Sequence, residues 1–143
     1  MHRLQNVIEQ RRVVSAPPDA SVHAVAVMMS KGRIGAIPIV EGGDLVGIFS
    51  ERDLMTRVVV PRLDVDATRV SEVMTRDVVT ATLQDSVDQC VEKMRTVRCR
   101  HLPVISGGRV TGIVSMRDLL RDEIEEQVHE IANLKAYIHQ TPI

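Results

Sequence analysis

Gly47-Ile48-Phe49-Ser50-Glu51-Arg52-Asp53 and Gly112-Ile113-Val114-Ser115-Met116-Arg117-Asp118 are two versions of one phrase, 65 positions apart. The likeness extends well beyond the phrase. When residues 7–55 are laid on residues 72–120 at that offset, without a gap, 17 of 49 positions are identical. Chance gives only a few matches, so one structural unit is written twice in tandem, and that repeat decides the fold.

Working outward from the phrase, each copy parses in the same order. Val13-Val14 and Val78-Val79 read as a short first strand. Ser21 and Ser86 stand at N-cap positions, and Gln89 completes a capping-box pattern with Ser86. Val22, Val25, Ala26 and Met29 fall at i, i+3, i+4 and i+7, as do Val87, Cys90, Val91 and Met94, so one apolar helical stripe is repeated. Gly32-Arg33-Ile34-Gly35 reads as a helix C-cap and turn. The runs Ile37–Val40 and Leu45–Phe49 then flank Gly42-Gly43, and Leu102–Ile105 and Val110–Val114 flank Gly107-Gly108, which predicts two hairpins. A second helix starts at Ser50 or Ser115. The expected class is α+β, two β-α-β-β-α units in tandem. Neither unit is large enough to be comfortable alone, and the two sheets are expected to pack face to face over a shared core.

The expected boundaries are 7–60 for the first unit, 61–71 for a linker, 72–122 for the second unit and 123–143 for a C-terminal helix and tail. Pro61 closes the preceding helix. From Leu119 to His139, Leu120, Ile124, Ile131, Leu134 and Ile138 form a stripe that Gln127 interrupts and Val128 widens. Such a stripe calls for a partner helix, from the body or another subunit.

Composition narrows the function. The 143 residues carry a net charge of −1 and include one Phe, one Tyr and no Trp. There is no basic footprint for nucleic acid and almost nothing to stack on bases. The N-terminus MHRLQNVIEQRR is too polar for a signal peptide, and no apolar run is long enough to span a membrane, so a cytoplasmic location is expected. Cys90 and Cys99 read as two small buried thiols. His2, His23, His129 and His139 look solvent-facing, with no metal spacing. Asp64 and Asp66 belong to a solvated linker. No residue set offers nucleophile, base and electrophile together, so neither a catalytic nor a metal site is expected.

The repeated phrase carries the chemistry. Each version places a glycine in a strand, then a hydroxyl and a carboxylate three residues apart at a helix start. The orphan amides there can hold an anion, and the carboxylate can accept from two vicinal hydroxyls such as a ribose offers. The arginine between them reaches toward phosphate. Ser-x-x-Asp is also an ordinary capping pair, and the two roles can coexist.

These motifs, with Ile37-Pro38-Ile39-Val40 and Arg100-His101-Leu102-Pro103-Val104, resemble the cystathionine β-synthase (CBS) domain family over about residues 7 to 121. The resemblance implies a pseudo-twofold pair of CBS domains that binds adenosine-containing ligands in its clefts: AMP, ADP or ATP, less often NAD or S-adenosylmethionine. It assigns Asp53 and Asp118 to ribose, and Ser50 and Ser115 to ribose or phosphate, with Arg52 and Arg117 between them. Ile37-Pro38 and Leu102-Pro103 would line an adenine slot, and Ser15 and Thr80 would touch the base. Arg100 and His101 would be phosphate-facing cations; Gly35-Ala36 replaces them in the first copy, so the two clefts are expected to differ. The resemblance also implies a homodimer and an effector protein that reads the signal. A structural or docking module with empty clefts is the other reading.

Overall fold

The computed structural model describes residues 3–7 and 13–140. His2 and the C-terminal tail 141–143 lie outside the described residues.

Each unit is organised around one antiparallel hairpin. β1 (Ala36–Glu41) pairs with β2 (Asp44–Ser50), and β3 (His101–Ser106) with β4 (Arg109–Ser115). Gly42 and Gly43 turn the first hairpin at φ 59° and 87°, and Gly107 and Gly108 the second at 60° and 76°. Two successive positive φ angles suit the right-handed twist of the strands, and only glycine takes them freely. The register shifts at Ile39/Val40 and again at Val104/Ile105, so even the bulge is repeated.

The helices preceding the hairpins, α2 (Val22–Gly32) and α4 (Val87–Val97), start as the sequence predicts. Ser21 Oγ accepts from the Ala24 amide at 3.0 Å. Ser86 and Gln89 exchange both capping-box bonds, at 3.1 and 2.8 Å. Their buried faces are Val22, Val25 and Met29, and Val87, Cys90 and Met94. The C-caps correct the expectation of a glycine cap. Gly32 is the last helical residue of α2, and Arg33 takes the left-handed cap at φ 53°. Arg98 does the same after α4 at φ 56°. In each case the cap amide donates to two carbonyls of the last turn, which offsets the cost of a left-handed non-glycine residue.

Two further expectations are corrected. Val13-Val14 and Val78-Val79 form no strand; the first strand of each unit shrinks to a one-residue parallel bridge, Ala16 to Ile39 and Ala81 to Val104. Pro17 has no amide to extend the ladder, and the Thr82 amide is taken by the Asp85 carboxylate at 3.0 Å. Nor do the units share one core. Phe49, Ile37, Ile39 and Val22 centre the first cluster, and Leu102, Val104, Met94 and Leu119 the second.

The units are joined instead by exchanged straps. The N-terminal turn α1 (Leu4–Val7) docks on the second unit: the Leu4 amide donates to Asp85 O and the Gln5 amide to Leu83 O. The segment before the second unit docks on the first in the same way, with the Val70 amide on Ala20 O and the Ser71 amide on Pro18 O. Leu4 is fully enclosed in the second core, Val70 in the first. Residues 61–69 are mostly exposed, but Val65 O and Thr68 O accept from the His23 and Val22 amides, which ties this linker to the first unit. Asp64 accepts the Asp66 and Ala67 amides, which makes it a turn former.

After the repeated phrase the copies diverge. In the first, α3 (Glu51–Asp53) passes into a π-helix, Leu54–Val59, that stops two residues before Pro61. In the second, α5 (Met116–Gln140) runs 25 residues without a break. Val58-Val59-Val60-Pro61 is a β-branched run ended by proline, whereas residues 116–140 contain no proline and space their β-branched residues among Leu and Glu. Among the described residues no helix is long and apolar enough to cross a membrane.

Candidate functional site

The two repeated phrases lie where the units meet, β2 and β4 being in contact. At each helix start the capping box is complete. The Asp53 amide donates to Ser50 Oγ at 3.1 Å, and the Ser50 amide to Asp53 Oδ2 at 3.0 Å. The Asp118 amide donates to Ser115 Oγ at 3.1 Å, and the Ser115 amide to Asp118 Oδ2 at 2.9 Å. The helix entries are anchored alike, with the Glu51 amide on Gly35 O and the Met116 amide on Arg100 O.

Beyond the caps the carboxylates are not equivalent. Asp53 is 7% exposed, and its second oxygen is taken up. Thr75 Oγ1 lies 3.3 Å from Oδ1, and Arg57 Nε 3.6 Å from the same atom. The Arg57 guanidinium is held in turn by Met74 O at 2.9 Å. Thr75 reaches Asp53 because residues 74–75 cross the first hairpin: Ile48 and Thr75 exchange both backbone bonds at 2.9 Å. Gly47 permits that crossing, since a Cβ there would collide with Met74 and lie 3.0 Å from Thr75 O. Asp118 is half-buried, and among the described residues its hydrogen bonds go to Ser115 alone. Neither of those bonds uses its Oδ1. The residue at the position of Arg57 in the second copy is Asp122.

The predicted cations also differ. Arg100 is exposed. The His101 ring lies against Gly35, and a Cβ at Gly35 would stand 3.1 Å from Nε2. Burial holds the His101 pKa below the ordinary imidazole value of 6.5, against the pull of Glu51 and Asp118, and Arg100 lowers it further. The half-buried His101 ring is therefore harder to charge than a free imidazole. Arg52 extends to Arg98 O at 3.4 Å, and Arg117 is exposed.

The apolar residues assigned to a slot are mostly walls. The side chains of Ile37 and Leu102 are fully enclosed, and Pro38 and Pro103 are buried and offer their carbonyls to Ala16 and Ala81. Ser15 is exposed, and Thr80 is half-buried with its carbonyl on Lys93 Nζ at 2.9 Å. Sequence reasoning assigned no role to Thr75 or Glu51, and took Gly35 only as a turn residue and as the first copy's counterpart of Arg100. Thr75 had no usable signal, because it acts on a residue 22 positions away. Among the described residues no cluster of three or more His, Cys, Asp or Glu could hold a metal ion. Cys90 is buried, with its thiol pushed up to about 11 by desolvation, and Cys99 is raised for the same reason.

Comparison with known proteins gives one family. Residues 7–60 and 70–125 match the CBS domain. The mitochondrial CBS domain-containing protein CBSX3 of Arabidopsis thaliana is 31% identical over 125 residues, 84% of this chain and 61% of that protein, so this chain spans under two thirds of that relative. The CBS domain-containing protein YhcV of Bacillus subtilis is 29% identical, covering 81% of this chain and 82% of YhcV. Among solved structures, the CBS domain protein NE2398 superposes with a TM-score of 0.81 at 33% identity, over 86% of this chain and 98% of that one. PAE2072 from Pyrobaculum aerophilum, complexed with AMP, gives 0.75 at 30% identity, over 82% and 89%. The CBS domain pair of MJ0100, in complex with 5′-methylthioadenosine and S-adenosylmethionine, gives 0.78 at 27% identity, over 87% and 98%.

Proposed function

The chain belongs to the CBS domain family as a tandem pair, and on that premise we propose that it is a regulatory sensor for an adenosine-containing ligand, with the Ser115/Asp118 cleft as its working site. The candidate ligands are AMP, ADP and ATP, then NAD and S-adenosylmethionine. The observation that carries the reading is the inequality of the two carboxylates. Asp118 spends one oxygen on its cap and keeps the other for vicinal ribose hydroxyls. Asp53 has spent both. The AMP held by PAE2072 and the adenosine-containing ligands held by MJ0100 support the ligand class. Arg100 and Arg117, both exposed on the same unit, suit a phosphate tail. Binding across the boundary would alter how the units meet, and an effector protein would read that change. The residues bind and orient; no reaction is assigned to them. Free thiols at Cys90 and Cys99 suit a reducing compartment such as the cytoplasm.

The test is thermal unfolding with AMP, ADP, ATP, NAD, S-adenosylmethionine, GMP and CMP. Adenosine compounds should raise Tm with concentration, as mass action requires, and GMP and CMP should do less. Asp118→Asn retains a capping side chain but loses the charge. Hydrogen bonds to a charged group contribute about 1.5–3 kcal/mol, so affinity should fall at least about tenfold. The enclosed side chains of Ile37 and Leu102 favour a second reading, a docking module whose clefts stay empty. No Tm shift with any adenosine compound at millimolar concentration would establish that reading instead.

A further inference from the structure

α5 leaves the body of the protein soon after Leu119, which is the last residue of the helix enclosed in a core. From Gln127 onward every described side chain is exposed. Three and a half turns of isolated helix are marginal in water. Yet the projecting part carries an apolar seam, Leu120, Ile124, Ile131, Leu134 and Ile138, each between 52% and 66% exposed.

The seam has a heptad grammar. With Ile124, Ile131 and Ile138 at the a positions, Leu120 and Leu134 fall at d, and Gln127 at the d between them. β-Branched residues at a with leucine at d favour two parallel strands. The flanking charges agree. Glu123 and Glu130 fall at g, and Arg121, Val128 and Lys135 at e. In a parallel, in-register dimer g faces the e position five residues on in the other helix, so Glu130 meets Lys135 of the second copy, twice by symmetry. An antiparallel pair would set glutamate against glutamate at g, and arginine or lysine against each other at e. The outer face bears Glu125 and Glu126, which an anionic lipid surface would repel.

We infer that α5 is one half of a parallel two-stranded coiled coil, and that its occupant is the same helix of a second copy of this chain. Gln127 meets Gln127 at the centre of the seam, where a polar residue at a core position sets register at some cost in stability. The two CBS pairs then lie side by side at the N-terminal end of the coil, in the same orientation. This dimer does not depend on the ligand reading: it would form with empty clefts.

The experiment uses the full chain carrying Leu120→Cys or Leu134→Cys, both exposed sites that leave the cores intact, with the unsubstituted protein as the control for Cys90 and Cys99. Under a glutathione redox buffer each variant should form a disulfide-linked dimer with itself, because in-register parallel helices bring each position to its own copy. Adding Ile131→Asp should abolish both cross-links. Glu130→Lys or Lys135→Glu alone should weaken dimerisation on the order of three- to tenfold, and the double exchange should restore it. Cross-linking only in a mixture of the two cysteine variants would mean an antiparallel pair and overturn the inference. Absence of cross-links in all samples would overturn it as well, showing that α5 serves another partner or a membrane.

Discussion

The His101 ring of the second unit rests against Gly35 of the first, so closely that a Cβ at Gly35 would stand 3.1 Å from Nε2, 3.2 Å from Cε1 and 3.6 Å from the Glu51 carboxyl carbon. Glycine there is a spacing requirement between the units, and it explains why the two copies differ at this position.

Gly35→Ala should therefore lower stability by about 1 kcal/mol, since the ring must retreat by a few tenths of an ångström. Gly35→Ala combined with His101→Ala should cost less than the sum of the single changes. Urea denaturation of the four proteins measures the coupling, and strictly additive costs would place the ring elsewhere.

His101 also makes stability depend on pH. Its folded-state pKa lies below the ordinary value of 6.5, chiefly because it is buried. Well above pH 6.5 the ring is neutral in both states and contributes no pH dependence. As pH falls below that value the unfolded chain takes up the proton first, so stability declines until the folded-state pKa is passed. His101→Gln should flatten the fall in unfolding free energy as pH drops through the ordinary imidazole value of 6.5. An unchanged slope there would mean that another group carries it.

Asp53→Asn tests the inequality of the carboxylates. The cap survives, but the Arg57 contact at 3.6 Å and the charge facing Thr75 are lost. Arg57 is half exposed, so the expected loss of stability is only about 1 kcal/mol. Ligand affinity should stay within about threefold of the parent, in contrast to Asp118→Asn. Calorimetric titration with AMP compares the two, and equal losses would show that both clefts bind ribose.

Gly47→Ala should be more damaging than Gly35→Ala. Its Cβ would collide with Met74 and press on Thr75 O at 3.0 Å, where the neighbour is backbone and cannot swing away. We expect about 2–3 kcal/mol of destabilisation, read by thermal unfolding, and loss of protection at the Ile48 and Thr75 amides in hydrogen exchange. Retained protection at both amides would show that the crossing tolerates a side chain.

The sequence by itself determined what is local. The duplication, the Gly-Gly turns, the N-caps at Ser21 and Ser86 and the two Ser-x-x-Asp capping boxes are all closed by residues within a few positions of one another. The same words therefore produced the same structures in both copies. Only the tertiary structure decided what crosses the chain: Leu4 in the second core, Val70 in the first, Thr75 on Asp53 and His101 on Gly35. Those contacts involve the segments between the repeats and the positions where the repeats differ. Their effect depends on which residue arrives from tens of positions away, and no local pattern records it. That is why two carboxylates alike in sequence differ in the structure: Asp53 also meets Thr75 and Arg57, whereas the hydrogen bonds of Asp118 stay within its cap.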